Sequence, residues 1–225
     1  MLSVPAFCGN EVVFTIEKGN LMEIELKYAI DSKETAARIW EDEDLKKMEE
    51  PQTRQTVFMK ATYFDTDDFD LSRNDMAYRI RCEDDNLIAC LKWGGKNEGA
   101  LHTREEINIP VKDAKPNPVT FEESDVGGDL MRIIDGKALH PIMDMRIERR
   151  RFRIDTQKSL LEVSIDNGTI VTEKGTSPIC EVEIEMFSGE QEDFLSVGDR
   201  LAEKYGLVSE KQSKFYRGLL LLGQR

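Results

Sequence analysis

Charged and apolar side chains alternate strictly in Met22-Glu23-Ile24-Glu25-Leu26-Lys27-Tyr28. Successive side chains of a β-strand point to opposite faces. Glu23, Glu25 and Lys27 therefore share one face, and Ile24, Leu26 and Tyr28 share the other. A single strand of this kind is ordinarily half-buried, with its charged face in water. Here the alternation recurs at Arg79/Arg81, Arg149/Arg151/Arg153, Glu162/Ser164/Asp166 and Glu181/Glu183/Glu185. Some of these faces are mainly basic and others mainly acidic, whereas a solvated surface usually mixes both signs on each strand. Periodicity alone leaves open whether the charged faces meet solvent or a lumen.

Cap and turn signals divide the chain into short strands and three helices. Asp31-Ser32-Lys33-Glu34 carries a capping box and opens a helix through Ala36, Ala37, Ile39 and Trp40. The acidic run Glu41–Asp44 reads as a solvated helix face or loop. Strands are predicted over Thr53–Phe64, Met76–Glu83, Leu87–Trp93 and His102–Ile109, with turns at Asp65–Asp68, Asp84–Asn86 and Gly94–Asn97. Residues 112–123 read as a loop and Asp125–Leu139 as a helix. A long strand then runs from Pro141 through Arg153, and Leu160–Asp166 follows. Asn167-Gly168 is a turn signal before a short strand, Thr169–Thr172. After the strand Pro178–Phe187, Ser188 and Gln191 form a second capping box, and Gly206 ends that helix beyond Tyr205. Lys211–Leu222 is a basic amphipathic tail. About eight strands joined mostly by hairpins describe an α+β chain, mainly β: an antiparallel barrel or sandwich with peripheral helices. The absence of a βαβ rhythm and of a glycine-rich phosphate loop disfavours Rossmann and P-loop enzymes.

The length, 225 residues, suits one domain or a domain with appendages. With 31 basic and 44 acidic residues, the formal charge is −13. Such a chain is poorly suited to nucleic acid or an anionic membrane, which both favour a basic surface. A polyanionic substrate is still admissible where basic residues converge locally or metal ions bridge. Cys8, Cys82, Cys90 and Cys180 lack metal-ligand spacing and read as reduced thiols of a cytoplasmic protein. His102 and His140 are given no role, and two histidines make a histidine-based metal site unattractive. No apolar run approaches the ~20 residues needed to span a bilayer, and residues 1–21 do not resemble a signal peptide. They read as an N-terminal extension, a candidate for being dispensable, before a single domain at 22–225.

Glu23-Ile24-Glu25-Leu26-Lys27 resembles the ExExK signature that opens the CYTH domain of the triphosphate tunnel metalloenzymes. The resemblance continues in order through Tyr63-Phe64-Asp65-Thr66, Tyr78-Arg79-Ile80-Arg81 and Leu91-Lys92-Trp93. It goes on through Thr103-Arg104-Glu105-Glu106, Arg149-Arg150-Arg151-Phe152, Glu162 to Asp166, Glu181 to Glu185, and Ser213-Lys214 with Arg217-Gly218. Leu139 to Phe152 looks most like the bacterial inorganic triphosphatase branch. The resemblance implies an eight-stranded antiparallel barrel forming an open tunnel, with charged faces inward and helices on the apolar outside. It implies that Lys27, Arg79, Arg81, Lys92, Arg104, Arg149, Arg151 and Lys214 contact a triphosphate. By the same likeness Glu23, Glu25, Glu181 and Glu183 hold a metal or position water, with Asp166 and Glu185 as further candidates at that end of the tunnel. Glu23, Glu25, Lys27 and Arg151 form the implied catalytic set.

The chemistry of these residue types agrees. Arginine and lysine hold phosphate oxygens by charge-assisted hydrogen bonds. Carboxylates suit Mg²⁺ or Mn²⁺, which bridge to phosphates. The expected activity is metal-assisted hydrolysis of a terminal phosphoanhydride, with inorganic triphosphate as substrate, in a monomer or homodimer. Alternatives are a thiamine or nucleoside triphosphatase, an adenylate cyclase, or a non-catalytic module that binds polyphosphate or nucleotide. Among secondary positions, Glu106 can share the face of Arg104. Glu162 is balanced between lumen and structural ion pair. Of Arg150 and Arg153, one is placed outward or at the tunnel mouth. Trp93 and Phe152 are read as packing residues.

Overall fold

The computed structural model describes residues 21–224. Residues 1–20, most of the expected N-terminal extension, lie outside the described residues. Eight strands form the body: β1 (Leu21–Ala29), β2 (Gln55–Asp65), β3 (Met76–Glu83), β4 (Asn86–Glu98), β5 (Leu101–Pro110), β6 (His140–Asp155), β7 (Ser159–Thr172) and β8 (Gly175–Gly189). They pair antiparallel in the order β5-β4-β3-β2-β6-β7-β8-β1, and β1 pairs back onto β5. The sheet is therefore a closed eight-stranded barrel with no free edge. A two-residue strand, β9 (Val208–Ser209), adds to β1.

Closure decides which face of each strand is inside. Leu26, Tyr28, Phe152, Ile154, Leu161, Val163, Ile165, Val182 and Ile184 point outward into one apolar cluster. Helices α1 (Lys33–Trp40), α2 (Glu43–Met48) and α5 (Gln191–Tyr205) cover it with Ala36, Ile39, Leu45, Phe194, Val197 and Leu201. A second outer cluster joins Tyr78, Ile80, Ala89, Leu91 and Ile107 to Leu71 on α3 (Asp70–Arg73) and to Leu130 and Ile134 on α4 (Gly127–Ile134). The main hydrophobic burial thus lies between barrel and helices, at roughly 25 cal/mol per Å² of apolar area removed from water. The charged faces of β1, β6, β7 and β8 are turned into the barrel. None of the described helices is long and apolar enough to cross a membrane.

Several local expectations are corrected. The acidic run after Trp40 is the start of a second helix: Asp42 is its N-cap, accepting from the Asp44 and Leu45 amides at 2.9 Å. α3 has no forecast, because four residues are too few to show a period. The expected helix over Asp125–Leu139 is only Gly127–Ile134, after a 3₁₀ turn at Pro118–Phe121. Ser188 belongs to β8, and Glu190 precedes α5. The tail is helical from Lys214 to Leu222, forming α6 with Ser213 as its N-cap. Gly94-Gly95 is a register shift inside β4 rather than a turn, and the strand continues to Glu98.

The resemblance implies a charged interior; the lumen is charged over part of its length, and one end is apolar. Val57, Met59, Ala61 and Tyr63 of β2 cluster with Met143, Met145 and Ile147 of β6, Ile170 of β7 and Ile179 of β8. Leu219 and Leu222 of α6 pack into this group, so the C-terminal helix occupies that end of the barrel.

Asn167-Gly168 is not a turn either, since β7 runs straight through it. The glycine serves close approach of backbones. A Cβ at Gly168 would lie 2.1 Å from the Arg146 carbonyl oxygen and 2.9 Å from Ile147 Cα. Gly168→Ala should therefore cost about 3 kcal/mol through overpacking. At Gly128 in α4 an added Cβ meets nothing within 4 Å, so Gly128→Ala should be neutral or gain up to about 1 kcal/mol. Urea unfolding of both variants checks this; equal midpoints would remove the close-approach explanation.

Candidate active site in the barrel lumen

Three rungs of paired residues cross the acidic side of the barrel. Along β1, β8, β7 and β6, the registers align Ala29, Glu181, Asp166 and Arg149; then Lys27, Glu183, Ser164 and Arg151; then Glu25, Glu185, Glu162 and Arg153. Every second residue of each strand faces the lumen, and adjacent rungs are ~7 Å apart. Side chains distant in sequence thereby become neighbours.

The innermost group is an ion-pair cluster. Arg149 grips Asp166 with both arms of its fork, Nε to Oδ1 and Nη2 to Oδ2 at 2.7 Å, and donates to Glu183 at 2.6 Å. Lys214, the first residue of α6, reaches Asp166 and Glu183 at 2.8 Å and also pairs with Glu181. Arg217, one turn on, pairs with Glu181. Lys27 bridges Glu183 at 3.0 Å and Glu25 at 2.9 Å. Burial opposes ionisation throughout, yet Lys214, Lys27 and Arg149 hold the Glu183 carboxyl well below its ordinary range. Arg217, which the sequence reading gives no role, sits in the same cluster as Arg149.

A second group lies across the lumen on β1, β4 and β5. Lys92 donates to both oxygens of Glu23 at 2.7 and 2.8 Å and pairs with Glu106. Arg104 stands farther from its acids, 3.5 Å from Glu23 and 3.9 Å from Glu25. Glu106 has no assigned role in the sequence reading, but its face is the expected one. Asn108 also donates to it.

The third group is basic and under-neutralised. Arg79 has Tyr63 as hydrogen-bond partner, Nη1 donating to the phenol oxygen at 3.2 Å. Arg81 approaches Glu83 at 3.6 Å, and Arg151 donates to Glu83 at 2.8 Å. The Nε groups of Arg79, Arg81 and Arg104 are buried without a hydrogen-bond partner. Glu83 carries no sequence signal beyond its place in a strand, and Tyr63, though it opens the Tyr63-Phe64-Asp65-Thr66 stretch of the resemblance, has no role assigned to it from sequence. Arg150 faces outward over the Trp40 ring, and Arg153 lies against Phe187.

Glu185 is the opposite kind of exception: among the described residues it forms no ion pair or hydrogen bond. Burial, reinforced by Glu23 and Glu25, pushes its carboxyl up to about 8. Burial and Glu23 likewise raise Glu25, against the pull of Lys27. Among the described residues, the lumen thus contains both cationic donors without acceptors and an acidic group with no cation paired to it. Every site residue expected from sequence faces this one space: Glu23, Glu25, Lys27, Arg79, Arg81, Lys92, Arg104, Arg149, Arg151, Asp166, Glu181, Glu183, Glu185 and Lys214.

The CYTH domain model matches residues 21–219. An inorganic triphosphatase from Haemophilus influenzae is 32% identical over 167 residues, 74% of this chain but 47% of that protein. The match thus spans about half the length of that relative. A Methanocaldococcus jannaschii protein, named provisionally as an adenylate cyclase, is 29% identical over 65% of this chain and 70% of its own length. A solved Hippeastrum structure, described as a provisional adenylyl cyclase with a dominant triphosphatase activity, superposes with a TM-score of 0.63. That likeness covers 90% of this chain and 97% of the other at 20% identity, and it speaks to the fold.

The Glu185 carboxyl has a signature that can be measured. Its folded-state pKa lies above the unfolded value, so the folded state binds the proton more tightly. Stability from this group is intact below about pH 4.5 and is lost as pH rises toward about 8. In chelator, Glu185→Gln should melt above wild type at pH 8, with the gap closing toward pH 5. A gap that is constant or reversed in sign would show that Glu185 is already compensated.

Proposed function

This chain belongs to the CYTH domain family, and on that footing we propose that it hydrolyses the terminal phosphoanhydride of inorganic triphosphate with a divalent metal. The observation that carries the reading is the row of buried, unpartnered Nε donors on Arg79, Arg81 and Arg104. A buried donor without an acceptor costs ~1–3 kcal/mol. A triphosphate, with anionic oxygens on each phosphorus, supplies acceptors along the whole row. Arg151, Lys92, Lys27, Arg149 and Lys214 extend the same cationic surface.

Two carboxylate groups compete as the metal site. Asp166, Glu181 and Glu183 offer oxygens within 4.8 Å of one another. Lys214, Arg149 and Arg217 already neutralise them, however. Their proposed task is to orient those cations. Among the described residues Glu185 has no cation paired with it, and Glu23 and Glu25, which pair with Lys92 and Lys27, lie near enough to raise its carboxyl. Oxygen donors with surplus negative charge suit Mg²⁺ or Mn²⁺, so these three residues would hold the ion. The metal would offset charge on the phosphate oxygens and make water a better nucleophile at neutral pH. Lys27, fixed between Glu25 and Glu183, would sit where the acidic wall meets the phosphates. Arg151, held by Glu83, would offset charge on the transferring phosphoryl group.

Phosphate release from triphosphate, ATP and thiamine triphosphate, with and without Mg²⁺ or Mn²⁺, tests this. Tight triphosphate binding without metal-dependent release would mark a binding module, and pyrophosphate release from ATP alone would mark a cyclase. Arg81 separates lumen from surface. Its charged form is disfavoured by burial and by Arg79. Arg81→Lys keeps the charge but loses the fork and should lower kcat/KM about tenfold; Arg81→Ala should lower it about a hundredfold. The ligand-free Tm of both should be unchanged or slightly higher. Wild-type turnover in both would place Arg81 outside the site.

A further inference from the structure

Tyr63 stands apart from the other groups in the phosphate-facing wall because it is neutral. We infer that Tyr63 is a positioning residue for triphosphate, holding Arg79 in place and making that placement depend on α6. The inference rests on the proposed triphosphatase reading.

Three observations support it. Tyr63 is paired with Arg79 across β2 and β3, and its phenol oxygen accepts from Arg79 Nη1 at 3.2 Å. Among the described residues, Arg79 has no carboxylate at ion-pairing distance, unlike Arg149, which has two. The buried Tyr63 ring also stacks on Phe215 of α6, with centroids 5.0 Å apart and an interplanar angle of 24°.

The chemistry follows from the choice of partner. A carboxylate beside Arg79 would orient the guanidinium but neutralise it, and an incoming phosphate would have to displace that acid. A phenol oxygen orients the same fork and leaves its charge available. The phenol proton is not used in accepting from Arg79, so it can be given to a phosphate oxygen. Phe215 follows Lys214, which reaches Asp166 and Glu183 at 2.8 Å. One turn of α6 therefore touches both walls: Phe215 backs Tyr63 and Arg79, and Lys214 enters the acidic cluster. The seating of α6 sets the spacing of the two cationic walls that a triphosphate must bridge.

Tyr63→Phe keeps the ring and its stacking on Phe215 and removes the hydroxyl. It should raise KM for inorganic triphosphate about tenfold, with kcat within about twofold and an unchanged ligand-free Tm. In an Arg79→Ala background the same change should raise KM less than about twofold, because Tyr63 acts through Arg79. Phe215→Leu keeps an apolar contact and loses the stack; it should also raise KM, and Phe215→Tyr should restore it. Calorimetric binding of triphosphate to wild type is the control. If wild type binds and turns over triphosphate while Tyr63→Phe matches it, or if the two KM effects multiply independently, the inference is overturned and the functional reading stands. If wild type neither binds nor hydrolyses triphosphate, the functional reading fails and this inference with it.

Discussion

Charge buried inside a closed barrel is the constraint on which the structure depends. Moving an isolated carboxylate or ammonium into a low-dielectric interior costs several kcal/mol even after relaxation. The lumen meets this by sharing: Lys214 touches three acids, Glu183 receives Arg149, Lys27 and Lys214, and Lys27 links Glu183 to Glu25. Such a network is strong only where its geometry is fixed. Barrel closure fixes it, because register aligns Glu181, Asp166 and Arg149 on one rung. Most of the apolar burial that stabilises the fold lies outside the barrel, under α1, α2 and α5 on one flank and α3 and α4 on the other. The usual distribution is inverted, and the helices are required because eight outward apolar faces would otherwise meet water.

Function enters where that sharing is incomplete. Arg149 is fully engaged by Asp166 and Glu183, whereas Arg79, Arg81 and Arg104 each keep a buried Nε–H without an acceptor. Glu185 is the acidic counterpart, held up by Glu23 and Glu25 with no cation against it. A fold selected only for stability would pair these leftovers with one another or replace them by apolar residues. They stay unpaired with one another instead, Arg79 and Arg81 on β3, Arg104 on β5 beside Glu23, and Glu185 on β8. Asp166, Glu181 and Glu183 also converge, with Lys214 reaching all three and Arg149 pairing with Asp166 and Glu183.

Much of this was legible in the sequence, for a physical reason. Period-two alternation carries facing information directly, so Glu23/Glu25/Lys27 and Glu181/Glu183/Glu185 could be assigned to common faces. The ordered resemblance then supplied the direction, inward, which alternation lacks. What stayed hidden depends on pairing between strands. The link from Arg151 to Glu83 joins residues 68 apart in sequence, and nothing local to Glu83 marks it. Gly168 read as a turn because Asn-Gly is a common hairpin signal, but its role lies in the β6 backbone beside it. α3 was too short to show a period, and the acidic run at Glu41–Asp44 concealed an N-cap because a cap is one residue among like neighbours.

The apolar end of the lumen is the most instructive departure. On β1, β7 and β8 the apolar residues face out, and extending that rule to β2 would send Val57, Met59 and Ala61 outward. They face inward, and Phe58, on the opposite face, is 67% exposed. The β2–β6 register settles the matter: Val57 stands opposite Arg149, Met59 opposite Ile147 and Ala61 opposite Met145. Arg149 is a lumen residue, so its β2 partner must be one too. A barrel lined with charge along its full length would carry more desolvated groups than one substrate could compensate. Filling one end with Met143, Met145, Ile170 and Leu219 confines the charged length to the rungs between Glu181 and Glu185. Those rungs span ~14 Å of strand. α6 therefore contributes Lys214 and Arg217 to the charged part of the lumen and also sets where that part ends.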